Sequence, residues 1–157
     1  MSTLFKPELA RIVERFESKG DCLNFMADLL SESGCLSFPD RYLAAVKGRE
    51  EIMSTGIGRG IAIPHARDLT VNCLRIAVCK VENPLDFNSV DAQPVNLIFM
   101  IAVPQNSNHQ YMQILRNLSE HLRQDANRTI LLNASTDMEL YDYVHAIEDT
   151  IGKSLSD

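Results

Sequence analysis

The sequence predicts an α/β protein in which helices cover a mixed β-sheet. In the first third of the chain, apolar residues recur with the helical period of 3.6 residues. Residues 61–103 instead contain three compact apolar runs rich in β-branched side chains, and helical periodicity returns after residue 107. An order of helices, then strands, then helices is typical of a layered α/β sandwich.

Three helices are expected before residue 54. A helical rhythm runs from Pro7 to Phe16, and Gly20 ends that segment. Asp21 is expected to cap a second helix, and Asp40 to cap a third that runs to about residue 53.

Three strands are expected in the middle of the chain, over IAIPH (61–65), LRIAVCKV (74–81) and VNLIFMIAV (95–103). The last is apolar almost throughout, so we expect it to be buried on both faces. A long connection, ENPLDFNSVDAQP (82–94), separates the second strand from the third, and its Pro, Asn and Asp residues indicate turns.

The last third of the chain again predicts helices. Residues 107–110 fit a capping box that opens a helix through about Gln124. NRTILLNAS (127–135) fits either a short helix or a strand. Ser135 and Thr136 then precede Glu139 and a final helix. One face of that helix carries Leu140, Val144, Ile147 and Ile151.

Composition narrows the function classes. At 157 residues and 17.6 kDa we expect one domain covering residues 1–157. The net charge of −6 argues against a nucleic-acid groove and is compatible with docking to a basic surface. No apolar run approaches the ~18 residues of a membrane span. The charged N-terminus does not resemble a signal peptide, so we expect a cytoplasmic protein without membrane insertion.

Cysteine and histidine spacing does not predict a metal site. The chain has four cysteines, Cys22, Cys35, Cys73 and Cys79. Without CxxC spacing, reduced thiols in a packing role are favoured over a redox role. A zinc site would need converging ligands, whereas the four histidines are widely spread and His121 and His145 are expected at the surface.

The segment TGIGRGIAIPH (55–65) is locally the most regular part of the chain. Its glycines precede a strand rather than follow one, and no GK[ST] follows, so a nucleotide loop is not expected. Pro64 fixes its own φ and favours extended backbone at Ile63, which largely determines how His65 leaves the strand. His65 either simply ends the strand or is mounted for chemistry.

A second unusual residue is Arg49, which shares a helical face with Tyr42, Val46 and Met53. Removing a guanidinium from water is costly unless it meets an anion. Arg49 therefore either extends to solvent or faces a site where negative charge arrives. A guanidinium beside a nucleophilic imidazole is suited to phosphoryl transfer.

Together, these residues resemble a known family. TGIGRGIAIPH, the upstream Arg49-Glu50-Glu51 and the pattern P-x-x-F-x-x-x-D-x-x-P-V from Pro84 to Val95 resemble the enzyme IIA domains of the fructose/mannitol class of the bacterial phosphoenolpyruvate:sugar phosphotransferase system. The nitrogen-regulatory branch belongs to the same family. The resemblance covers nearly the whole chain and implies a single enzyme IIA type-2 domain. It also implies a mixed sheet flanked by helices on both sides, a three-layer sandwich, with no metal or organic cofactor.

Carried over by position, the resemblance implies that His65 accepts a phosphoryl group and that Arg49 stabilises it. The donor would be the phosphohistidine of the carrier HPr, and the acceptor a cysteine of enzyme IIB, in sugar uptake. The alternative is a regulatory module whose phosphorylation controls its binding to other proteins, as in the nitrogen branch. A degenerate member without transfer activity is a third possibility.

The chain departs from the family at one position. Sugar-specific members usually carry a second active-site histidine at the start of the helix after the buried strand, where this sequence has Tyr111. His109 lies two residues earlier and is the other candidate for this place. Because residues two apart on a helix point to different faces, His109 can take it only if the first turn of the helix is irregular. Tyr111 either donates a hydrogen bond to a phosphoryl oxygen or belongs to an apolar stripe, with His109 an exposed cap residue. Arg59 adds positive charge that meets a phosphoryl group or an acidic partner, or is a solvated loop residue.

Overall fold

The computed structural model of the chain describes residues 4–152, which contain six strands and six helices. The strands are β1 (Ala10–Val13), β2 (Gly56–Gly58), β3 (Ile61–Ala62), β4 (His65–Asp68), β5 (Arg75–Leu85) and β6 (Val95–Pro104). The helices are α1 (Lys19–Glu32), α2 (Pro39–Ile52), α3 (Asn108–Arg123), α4 (Asp125–Leu132), α5 (Asp137–Ala146) and α6 (Glu148–Ile151).

The strands form one mixed sheet in the order β1-β5-β6-β3-β2, with β4 also paired to β6. β1 is parallel to β5, and β3 and β4 are parallel to β6. β5 and β6 are antiparallel, as are β2 and β3. Residues 97–103 of β6 are buried, which confirms the predicted two-sided burial of this strand.

Two apolar cores lie on opposite faces of the sheet. The first packs α1 and α2 against the sheet, and the second packs α3 and the following helices against the other face. Successive residues of β6 alternate between them, since Ile98 belongs to the first core and Phe99 to the second. The architecture is therefore the predicted three-layer α/β/α sandwich.

The predicted first helix is wrong. Pro7–Leu9 form a single 3₁₀ turn, and the chain then enters β1. Ile12 and Val13 pair with Lys80 and Val81 of β5 and extend the edge of the sheet. Pairing with a strand about seventy residues away overrides the local helical rhythm, and the β-branched side chains suit the extended backbone.

Two predicted helix caps were misplaced. Ser18 caps α1 by accepting a hydrogen bond from the backbone N–H of Asp21 at 3.1 Å, so Gly20 lies inside the first turn. α2 begins with Pro39 at its first position, where the missing N–H has no cost, and Asp40 lies in its first turn. Both acidic residues complement the positive end of their helix instead of capping it.

The helices after β6 agree with the sequence in type. Residues 127–132 are helical, which resolves the ambiguous segment. The predicted capping box at the start of α3 is not formed, because the Ser107 side chain accepts no capping hydrogen bond from the described residues. Thr136 caps α5 through the N–H of Glu139, as its position suggested. The predicted final helix is broken at Ile147 into α5 and α6.

β3 and β4 pair with β6 one after the other, as two parts of a single extended segment. Ala62 lies opposite Ile98 and His65 opposite Ile101, so three residues separate both pairs and the register is unchanged. The ladder of hydrogen bonds to β6 is interrupted at Pro64, because proline has no N–H to donate. The carbonyl of Pro64 still accepts a hydrogen bond from the N–H of Ile101 at 2.9 Å. The sequence predicted that His65 ends the preceding strand, but it begins β4.

Within residues 4–152, none of the helices combines the length and the apolar character needed to cross a bilayer.

Candidate functional site

His65 is the centre of the site, and its ring is oriented by the backbone. Nδ1 lies 2.8 Å from the carbonyl oxygen of Ile63. Because a carbonyl oxygen only accepts hydrogen bonds, Nδ1 carries the ring hydrogen and Nε2 carries the lone pair. The imidazole is thus held in the tautomer that offers Nε2 as a nucleophile.

The environment of His65 also keeps the ring neutral. Burial lowers the pKa of His65, and the Arg49 guanidinium acts in the same direction. The hydrogen bond to Ile63 and the Glu50 carboxylate oppose this effect without reversing it. At pH 7 the ring is therefore mainly uncharged, as nucleophilic attack requires.

The sheet beneath His65 is held to α2 by a buried hydrogen bond. The Tyr42 hydroxyl donates to the carbonyl oxygen of Ile101 at 2.8 Å, and Ile101 is the residue opposite His65. Tyr42 is fully buried. Helix, central strand and histidine are connected at one level of the sandwich.

Tyr111 contacts His65 from α3. The two ring centroids are 5.2 Å apart, with the ring planes inclined by 40°. Burial raises the pKa of Tyr111, so its hydroxyl keeps its proton and can donate a hydrogen bond. Tyr111 also packs against the second core, so it belongs to the apolar stripe as well. The side chain of His109, by contrast, is exposed.

Arg49 lies at the end of α2, at the boundary between core and solvent. Its Nη1 donates to the carbonyl oxygen of Met53 at 2.8 Å. The predicted apolar stripe holds for Tyr42 and Val46 but not for Met53, which is 64% exposed because α2 ends one residue earlier. The half-buried Arg49 acts electrostatically on both His65 and Tyr111.

Two charged residues near the site were missed by the sequence reasoning. Glu50 is buried, accepts hydrogen bonds from the backbone N–H of Thr55 and pairs with Lys19 at 2.7 Å. Arg67 is exposed on β4, two residues beyond His65, and its charge also acts on Tyr111. In the sequence, Glu50 was indicated only by its position next to Arg49, and Arg67 only by its position two residues after His65.

Arg59 does not lie beside His65. Its backbone adopts a positive φ of 59°, and its N–H donates to Oδ2 of Asp91 at 3.0 Å. Its guanidinium donates to the carbonyl oxygen of Arg123 at 2.8 Å, at the end of α3. Tyr111 is twelve residues earlier in that helix, or about 18 Å along its axis.

The remaining candidates do not form a second centre. Among residues 4–152, no three or more His, Cys, Asp or Glu side chains gather in a way that could hold a metal ion. All four cysteines are free thiols, and only Cys73 is not buried. A cavity of about 540 Å³ lies at the other end of the sheet, where Phe16 and Leu85 contribute to its lining.

Fold and site together define a class of protein. The three-layer sandwich presents one neutral, backbone-oriented imidazole at the start of a short strand, with guanidinium groups and a phenol around it. This is an α/β/α domain with a neutral histidine that lies close to positive charge. Residues 3–147 match the family described as "Phosphoenolpyruvate-dependent sugar phosphotransferase system, EIIA 2". The chain belongs to this family.

Relatives of known sequence include both branches named above. The chain is 33% identical over 142 residues to the fructose-specific EIIA component of Haloferax volcanii, which covers 90% of this chain and 92% of the relative. It is 32% identical over 156 residues to the nitrogen regulatory protein of Escherichia coli, with 96% and 92% covered. It also matches the fructose-specific EIIABC component of Bacillus subtilis at 34% identity, over 82% of this chain but only 20% of that longer protein.

Solved structures agree with the fold. The nitrogen regulatory protein IIA-Ntr of Neisseria meningitidis superposes with a TM-score of 0.81 at 27% identity, covering 90% of this chain and 96% of that one. The mannitol IIA of Escherichia coli gives a TM-score of 0.73 at 21% identity, with 88% and 97% covered.

Proposed function

We propose that the chain is a phosphocarrier of the sugar phosphotransferase system, acting in the cytoplasm. His65 accepts a phosphoryl group from the phosphohistidine of HPr and passes it to a cysteine of enzyme IIB. The observation that carries this proposal is the hydrogen bond from His65 Nδ1 to the Ile63 carbonyl, which directs the lone pair of a neutral ring to Nε2.

The transfer consists of two displacements at phosphorus. In the first, the Nε2 lone pair forms a P–N bond while the P–N bond of the donor breaks and its electron pair returns to the donor nitrogen. In the second, an IIB thiolate attacks the same phosphorus and His65 leaves with its electron pair. Nδ1–H stays bonded to Ile63 and stabilises the positive charge that the phosphorylated ring carries.

Arg49 offsets charge on the phosphoryl oxygens during transfer. It is a fixed guanidinium within electrostatic reach of His65 and Tyr111, and stabilising the charge of a transferring phosphoryl group is the main task of the protein in such reactions. Tyr111 can add a hydroxyl hydrogen bond from the opposite layer of the sandwich. Neither a metal nor an organic cofactor has a role in this scheme.

The test is phosphorylation with phosphoenolpyruvate, enzyme I and HPr. The wild-type chain should gain a label that is labile in acid and stable in base, and should pass it to IIB. His65→Ala should lose the label, whereas the surface variant His145→Ala should keep it. A His65→Ala protein that still becomes labelled would rule out the proposed acceptor.

Arg49 is tested in the same assay. We expect Arg49→Ala to fold and to accept the phosphoryl group at least tenfold more slowly, which corresponds to about 1.4 kcal/mol of lost transition-state stabilisation. Transfer at the wild-type rate would remove Arg49 from the mechanism.

A regulatory switch is the second candidate. Similarity to the Escherichia coli nitrogen regulatory protein extends over 96% of this chain, and Tyr111 stands where sugar-specific members usually have a histidine. Phosphorylation of His65 without transfer to any IIB protein would favour this candidate. Neighbouring genes for IIB and IIC components would favour transport, and neighbouring nitrogen-regulation genes would favour signalling.

A further inference from the structure

Arg67 lies on the same side of β4 as the candidate phosphoacceptor. Successive side chains of a strand point to opposite faces, so His65 and Arg67 project together, while Ala66 is buried in the first core. Two residues of extended chain place their Cα atoms about 6.6 Å apart. Because Arg67 is opposite Val103, it lies toward the end of β6 from which the chain turns into α3.

The guanidinium of Arg67 has no carboxylate partner among the described residues. Ion pairs are formed instead by other arginines, including Arg41 with Asp68, the residue that follows Arg67. Arg67 is exposed. The chain carries a net charge of −6, yet none of its described carboxylates pairs with Arg67. An uncompensated cation beside the histidine is therefore available to an incoming anion.

The charge of Arg67 also acts on the phenol that contacts His65. Burial raises the pKa of Tyr111, and the positive charges of Arg49 and Arg67 both oppose that rise. The two guanidinium groups thus both act electrostatically on Tyr111, one from α2 and one from β4, while the Tyr111 ring lies 5.2 Å from the His65 ring. Arg49 and Arg67 therefore both place positive charge near the His65–Tyr111 pair.

We propose that Arg67 is a second phosphoryl-binding residue, which donates hydrogen bonds to the oxygens of the group carried on His65 Nε2. The inference rests on the proposed function. The bonds to phosphorus form and break as described above, and Arg67 forms no covalent bond in either step. Arg49 donates one N–H to Met53, whereas Arg67 can present a full guanidinium fork to two oxygens.

The experiment first isolates the phosphoryl group from any protein partner. Wild type, Arg67→Gln, Arg67→Lys and the control Arg15→Gln are loaded with phosphoramidate, a small phosphoryl donor, and the ³¹P resonance is titrated. Arg15 is an exposed residue that pairs with Glu17 beyond the far end of β1, so its variant removes the same charge away from the site. Far-UV circular dichroism and urea midpoints check that each variant is folded.

A guanidinium bound to the phosphoryl oxygens favours their ionised form. Arg67→Gln should therefore raise the pKa of the phosphoryl group by roughly half a unit or more, Arg67→Lys should raise it less, and Arg15→Gln should leave it unchanged. With phospho-HPr as donor, Arg67→Gln should lower kcat about tenfold with KM within about twofold of wild type, as loss of a charge-assisted hydrogen bond predicts.

The two proposals fail in different ways. If wild type carries label on His65 but the ³¹P pKa is the same in Arg67→Gln, Arg67 does not bind the phosphoryl group. A rise in KM without that change would assign Arg67 to partner docking and would also overturn the inference. If wild type carries no label on His65, the proposed function and this inference are both wrong.

Discussion

The reactivity proposed for His65 depends on the surroundings of its ring. Burial, assisted by the Arg49 charge, lowers the pKa of the imidazole below its ordinary value, while the Ile63 carbonyl selects the tautomer. A histidine in an exposed loop would have neither feature. Backbone geometry thus determines which nitrogen carries the lone pair, and burial determines the charge state of the ring.

We predict that NMR titration will place the midpoint of His65 below about 6.5, the ordinary histidine value. Arg49→Gln should move that midpoint upward, because it removes a positive charge that disfavours the imidazolium. Below pH ~6.5 the unfolded chain binds the proton more readily than the native protein, so His65 makes stability fall on acidification until its native pKa is reached. A wild-type midpoint above 6.5 would contradict this account of the ring.

Gly56 and Gly48 should respond in opposite ways to substitution by alanine. A Cβ on Gly56 would lie 2.2 Å from Ser89 Oγ and 3.0 Å from Ser89 Cα, so Gly56→Ala should cost about 1–3 kcal/mol of unfolding free energy. A Cβ on Gly48, inside α2, meets nothing within 4 Å, so Gly48→Ala should stabilise the protein by about 1 kcal/mol. Urea unfolding measures both; equal effects of the same sign would contradict the packing argument.

At the scale of elements, the length of a helix or strand determines whether the sequence predicts it. β6 and α3 each span ten residues or more, and their own apolar patterns identified them. β1 has four residues and exists because Ile12 meets Lys80 of a distant strand, which no local pattern reveals. Ser18 was not predicted as a cap because Gly20 and Asp21 suggested a helix start three residues later, at Asp21.

The residues of the candidate site were likewise predictable only where the local sequence marks them. His65 and Arg49 were found because Pro64 and an apolar helical face mark them in the local sequence. The burial of Glu50 was not predictable, because its partner Lys19 lies at the start of another helix. Arg59 was expected near the histidine from its glycine neighbours, but its side chain is directed to the far end of α3.

The Glu50–Lys19 pair connects three elements. Glu50 near the end of α2 binds Lys19 of α1 and the backbone of Thr55, which leads into β2. We predict that Glu50→Gln will lower the unfolding free energy by about 3 kcal/mol, because Lys19 then loses its charge partner in a largely buried position. Glu17→Gln, which breaks the exposed pair with Arg15, should change it by less than about 1 kcal/mol.

Chemical denaturation of Glu50→Gln and Glu17→Gln measures the two losses of unfolding free energy. A larger loss for Glu17→Gln than for Glu50→Gln would show that burial does not determine the strength of these pairs. The double variant Lys19→Met/Glu50→Gln should recover part of the loss, since it removes the uncompensated ammonium group.

At the scale of the whole molecule, the two cores share one sheet. β5 and β6 contribute alternate side chains to both, so Cys79 and Ile98 lie in the first core and Val78 and Phe99 in the second. Neither helical layer can leave without exposing the apolar residues of the strands beneath it. The two layers should therefore unfold together, as expected for the single domain that the sequence predicts.

This cooperativity can be tested with one leucine from each core. Leu30 in α1 and Leu118 in α3 are fully buried on opposite sides of the sheet. Leu30→Ala and Leu118→Ala should each lower the unfolding free energy by about 3 kcal/mol and shift one common transition, whereas the exposed Met138→Ala should change it by less than about 0.5 kcal/mol. Far-UV circular dichroism and tyrosine fluorescence should give coincident curves for every variant. Two separate transitions in Leu118→Ala would mean that the α3 layer unfolds on its own and that the sheet does not couple the two cores.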